Sequence, residues 1–94
     1  MTGTTRQLFE LGQVAGTQAT QALLARHRVD PCVLLERHSQ GDWGDLAEVD
    51  RQANDLAISA GSFILSAYRI GTHRVWVVTE PALGTTTIML PQEY

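Results

Sequence analysis

The chain has no lysine, one cysteine, three prolines and only two each of Trp, Tyr and Phe in 94 residues. Each scarcity excludes something. Without lysine, all seven bases are Arg, spread over Arg6, Arg26, Arg28, Arg37, Arg51, Arg69 and Arg74, against ten acids, for a net charge of −3 and a pI near 5.4. Affinity for a phosphate backbone rests on several neutralising contacts, so an acidic chain with scattered bases is not expected to bind nucleic acid. The most that helices can gather is a small patch of Arg26, Arg28 and Arg37. A lone Cys32 allows no internal disulfide and fits a reducing compartment. Apolar runs stop after a few residues, so no segment is expected to span a bilayer, and nothing after Met1-Thr2-Gly3 has signal-peptide length. A cytoplasmic protein with no membrane partner is the expectation.

What is present is globular: 44% hydrophobic and 18% charged residues. The length fits a single domain over residues 1–94, with the polar, Thr-rich residues 1–7 flexible. A chain of this size buries only roughly 60–65% of its unfolded surface, so its core is thin. Phe9, Leu11 and Val14 mark a short strand or a segment that anchors Phe9 and Leu11 in the core. Thr17 then reads as the N-cap of a helix over 18–27 with Ala19, Ala22, Leu23 and Arg26 on one stripe. Asp30-Pro31 opens a second, short helix to about His38, since Pro at the first helical position sacrifices no hydrogen bond; Gly41 stops it. Asp45 and Glu48 resemble a capping box for a third helix over about 45–60. Leu46, Val49, Ala53, Leu56, Ala57 and Ala60 repeat along it at amphipathic spacing, and Gly61 occupies the left-handed C-terminal position.

The period then changes to two. Ser62–Ile70 and Val75–Thr79 alternate around a Gly71-Thr72 turn as a hairpin, and Thr85–Leu90 follows the Pro81–Gly84 loop as a third strand. Helices followed by strands predict an α+β fold: about three N-terminal helices packed on one face of a three-stranded antiparallel meander.

Candidate chemistry gathers at one corner. His38 near Asp42 and Asp45 has the residue types of a general acid–base oriented by carboxylates; equally, Asp45 caps a helix, Asp42 bonds turn amides and a cationic His38 sits at a helix end. Trp43, between two Gly-Asp steps, either stands out for a partner or folds back as a lid on the core, while Trp76 belongs to the core or the sheet face. A small nuclease would need His38 and Glu80 as acid and base with Arg69 and Arg74 on phosphate, an analogy of layout only. His27, Asp30, Cys32 and His38 lack the spacing of a metal site, and no Gly-rich phosphate loop or nucleophile elbow is present; no metal and no cofactor are expected.

The residues His38-Ser39-Gln40-Gly41-Asp42-Trp43-Gly44-Asp45, Asn54, Leu65–Arg69, Val75–Glu80 and Thr86–Tyr94 resemble a family of small bacterial plasmid-related proteins carried on plasmids and integrated elements. The resemblance covers about residues 9–94. Relatives follow the Thr-Glu pair with further charged residues, where this chain has Pro81-Ala82-Leu83-Gly84. The resemblance implies a non-catalytic accessory protein of a mobile element that binds a host or element protein, in an anti-defence or regulatory role. Its expected contact patch is His38, Asp42, Trp43 and Asp45, extended by Tyr68. The alternatives are the nuclease and a purely structural or dimerisation module, with homodimers joined through an exposed strand edge.

Overall fold

A computed structural model describes residues 7–94. The flexibility expected of residues 1–7 concerns, Gln7 apart, positions outside the described residues. The elements are β1 (Gln13–Gly16), α1 (Gln18–Arg26), α2 (Pro31–Ser39), α3 (Glu48–Ala60), β2 (Ile64–Ile70), β3 (His73–Glu80) and β4 (Thr85–Met89), followed by a 3₁₀ turn at Pro91–Glu93.

The helix signals act as their chemistry requires. Thr17 Oγ1 accepts from the Thr20 amide at 3.2 Å. Asp30 Oδ1 accepts from the Cys32 amide at 2.9 Å ahead of Pro31. Gly61, at φ 69°, closes α3. The capping box does not form: the N-cap of α3 is Ala47, which has no side-chain oxygen to offer, and Asp45 is drawn into other bonds.

The sheet corrects the expected architecture. It has four strands in the order β1-β4-β3-β2 and is mixed, because β1 runs parallel to β4, from Gln13 opposite Thr85 to Gly16 opposite Ile88. The three-stranded antiparallel meander behind three N-terminal helices is therefore wrong on two counts. A strand precedes the helices, and the chain crosses over all of them and the β2–β3 hairpin before that strand finds its partner. Thr17 also donates its hydroxyl to Glu93 Oε1 at 2.8 Å, a second tie between the two ends of the described chain.

Strand alternation sorts the side chains. Ser66, Tyr68, Val75, Val77, Thr79, Thr86 and Ile88 lie on the face toward α1 and α2, where Leu23, Leu24 and Leu34 pack on Tyr68, Val75, Val77 and Ile88. α1 buries Thr20, Leu23 and Leu24; of the expected stripe Leu23 is buried, while Ala19, Ala22 and Arg26 are exposed. A smaller core joins Trp43, Ala57 and Ile64, with Phe9, Leu46 and Ile58 against it.

α3 lies along the free edge of β2, held by one polar residue. Buried Asn54 accepts from the Leu65 amide (Oδ1, 3.0 Å) and donates to the Leu65 carbonyl through Nδ2, so its side-chain amide completes the ladder as another strand would. Asn54→Ala orphans both Leu65 groups and is expected to lower stability by roughly 2–3 kcal/mol in urea unfolding.

Candidate functional site

His38, the residue with the richest expected chemistry, is fully enclosed. Its ring bridges two strands: Nδ1 meets Ser66 Oγ, and Nε2 lies 2.8 Å from Thr79 Oγ1. Thr79 Oγ1 is 2.7 Å from Thr86 Oγ1, whose hydroxyl donates to the Leu11 carbonyl at 2.7 Å. The proton order follows from the last link. A carbonyl only accepts, so Thr86 donates to Leu11 and accepts from Thr79. Thr79, its single proton spent, accepts from His38 Nε2–H, and Ser66, whose hydroxyl can donate or accept, pairs with Nδ1. Both nitrogens are thus occupied. Burial decides the charge: it pushes the pKa down to about 4, so the imidazole is the neutral Nε2–H tautomer with Nδ1 accepting from Ser66. Phe9 and Trp43 close over the ring edge to face, at centroid distances of 5.1 and 5.9 Å. The cationic helix-end histidine and the acid–base histidine are both set aside, because neither a charge nor a free lone pair is available.

Gly41–Asp45 does different work. Trp43 O accepts from the Ala67 amide (3.0 Å) and the Asp45 amide donates to Ala67 O (2.7 Å), so this segment lies as a short parallel bridge on β2 next to the Asn54 bond. Trp43 is the lid rather than the exposed indole: it is 3% exposed, with Nε1 donating to Asp55 Oδ1 at 3.4 Å. Gly44 has φ +73°, and a Cβ there would stand 2.1 Å from Ala67 O. Tyr68 is 1% exposed and gives its hydroxyl to the Asp42 carbonyl at 2.6 Å; burial pushes its pKa up to about 12.

The charged residues of the corner remain at the surface, paired with arginines. Arg37 Nε holds Asp42 Oδ2 at 2.7 Å, which draws the Asp42 carboxyl below its ordinary range, and the Arg37 guanidinium stacks 4.4 Å over the Tyr68 ring. Asp45 Oδ2 takes Arg74 Nη2 at 2.8 Å and Arg69 Nη2 at 3.5 Å. Arg37, Asp42, Gly44, Asp45, Tyr68 and Arg69 line a shallow polar depression. Exposed pairs of this kind contribute about 0–1 kcal/mol each.

The expected contact patch is therefore split: His38, Trp43 and Tyr68 face inward, while Asp42 and Asp45 face solvent. The nuclease set does not assemble either. His38 is sealed on the helix side of the sheet, and Arg69, Arg74 and Glu80 alternate onto the opposite side. Among the described residues no three His, Cys, Asp or Glu converge as metal ligands, and no helix is long and apolar enough to cross a membrane.

The chain matches no family model, no curated protein and no solved structure. Its surface must speak for it. Of the two edges of the sheet, β2 is occupied by Asn54 and by Trp43–Asp45, and β1 forms the other. On the face of the sheet away from α1 and α2, Tyr94 meets Trp76 and Phe63 edge to face, at 5.7 and 5.6 Å.

The two most exposed large apolar side chains among the described residues lie on α3. Val49 is 70% and Leu56 74% exposed, and Ala53 and Ala60 on the same stripe are exposed too. The amphipathic pattern was legible, but its direction was not: Asn54 and Ala57 turn inward, and most of the stripe faces water. The signal was Asn54, a polar residue on the side of the helix away from the stripe, opposite a strand edge that lacks a partner.

Proposed function

We propose that the protein is a non-catalytic binding module that grips another protein through the outer face of α3, in the accessory role that its likeness to plasmid-related proteins implies. The observation that carries this reading is the stripe Val49, Ala53, Leu56 and Ala60, an apolar helix face left unpartnered by its own fold. At 3.6 residues per turn the four side chains fall within roughly 60° of arc, as in a helix seam. Large residues at such positions are otherwise buried, and exposed apolar patches mark interaction sites. The Gly41–Asp45 corner supports the reading indirectly. It anchors the β2 edge along which α3 lies, so the binding face rests on a rigid base.

The test is affinity capture of the tagged chain from a bacterial lysate beside the double variant Val49→Glu/Leu56→Glu. Both positions are exposed, so stability is expected to stay within about 0.5 kcal/mol of the parent. A protein captured by the parent and lost from the folded variant supports the module. Capture that survives the double substitution rejects α3 as the contact face.

A further inference from the structure

The rim of the α3 stripe narrows the class of partner. Helical spacing sets Glu48 and Asp55, beyond Gln52 and Ser59, on one side of Val49–Leu56 and Asp50 on the other. Arg51, the one base of the helix, donates through Nη1 to the Gly44 carbonyl at 3.1 Å and brings Nε to 4.0 Å from Glu48 Oε1. Asp50 and Asp55 have no ion pair among the described residues, and Asp55 accepts from the Trp43 indole. The outer face is thus an apolar seam whose margins hold, among the described residues, two acids outside any ion pair, Asp50 and Asp55, on a chain of net charge −3.

We infer that the occupant of this face is an amphipathic helix of another protein, with aliphatic side chains flanked by Lys or Arg; the inference rests on the binding reading above. Two features select it. The first is shape. Val49 and Leu56 alternate with Ala53 and Ala60, so the stripe offers gaps into which the side chains of a crossing helix fit, as ridges enter grooves. The second is charge. A second copy of α3 would set acids against acids, whereas a basic rim matches them and gains attraction on approach.

The experiment uses the full chain and two synthetic peptides of about 18 residues, long enough to hold helical structure. Both carry the same Leu/Ala stripe; one has Lys and Arg at the flanking positions and the other Glu. Fluorescence anisotropy is expected to show the basic peptide binding at least about tenfold tighter than the acidic one. Leu56→Glu should weaken it by about tenfold or more, and Asp50→Asn/Asp55→Asn by a few fold with a flatter salt dependence. Asn at 55 keeps an acceptor for the Trp43 indole, and circular dichroism checks that each variant is folded. Equal affinity for the two peptides overturns the basic partner while leaving α3 as a docking face. Binding unchanged by Leu56→Glu shows attraction by charge alone and overturns docking on the stripe. No binding by either peptide overturns the helical partner, and a dimer in sedimentation that Leu56→Glu dissolves assigns the face to a second copy instead.

Discussion

Gly44→Ala is expected to destabilise the protein by about 3 kcal/mol or more, and Gly61→Ala by only about 1. Both glycines are left-handed, at φ +73° and +69°, so both substitutions carry the same backbone penalty. They differ in what the new methyl meets. At Gly61 nothing lies within 4 Å. At Gly44 the methyl would stand 2.1 Å from the Ala67 carbonyl oxygen and 2.7 Å from Tyr68 Cδ1, a backbone atom and a ring fixed by its own hydrogen bond. Relief requires lifting residues 43–45 off β2, which breaks the two bonds to Ala67 and unseats Trp43. Urea midpoints of the two variants measured together check this. Equal losses would mean that the close packing of this segment on β2 contributes nothing.

The second large effect is on pH. Unfolded, His38 titrates near its ordinary value of about 6.5; folded, burial holds it near 4. Between these values the unfolded chain binds the proton and the folded one refuses it, so stability rises with pH over this window and is fully present above it. At about 1.4 kcal/mol per tenfold difference in proton affinity, His38 should account for roughly 2–3 kcal/mol of loss between pH 7 and pH 4.5. His38→Gln offers an amide in place of the ring nitrogens and cannot titrate. Its stability at pH 7 is expected to fall, while its slope over the same range flattens. A slope unchanged by the substitution would show that the ring is not held neutral by the Ser66–Thr79–Thr86 chain.

That chain was written into the sequence in a form that is hard to read. Ser66, Thr79 and Thr86 occupy inward positions of three strands, where period two calls for apolar residues, and three hydroxyls in a core need a common partner. Each looks ordinary in its own strand; only the register brings Ser66 and Thr79 to one imidazole, with Thr86 behind Thr79. The helix starts at Thr17 and Asp30, the stop at Gly61 and the hairpin at Gly71 were legible because each depends on chemistry within a few residues. β1 was not. Gln13-Val14-Ala15-Gly16 has little strand propensity, and its partner lies some seventy positions away. The face of α3 was misjudged for a related reason. Periodicity gives an axis of amphipathicity but not the identity of the neighbour, and here the neighbour was a strand edge that needed Asn54 more than it needed leucine.

The pairing of β1 with β4 also orders events at the ribosome. Of the described strands, β1 is made first and waits, unpaired, while the three helices and the hairpin are synthesised, because the strand it joins follows them. α1 and α2 therefore have no complete sheet to pack on during most of translation. The sheet closes only after release of the Thr85–Met89 segment, in a step dominated by contacts distant in sequence, which makes folding slow for a chain of this length.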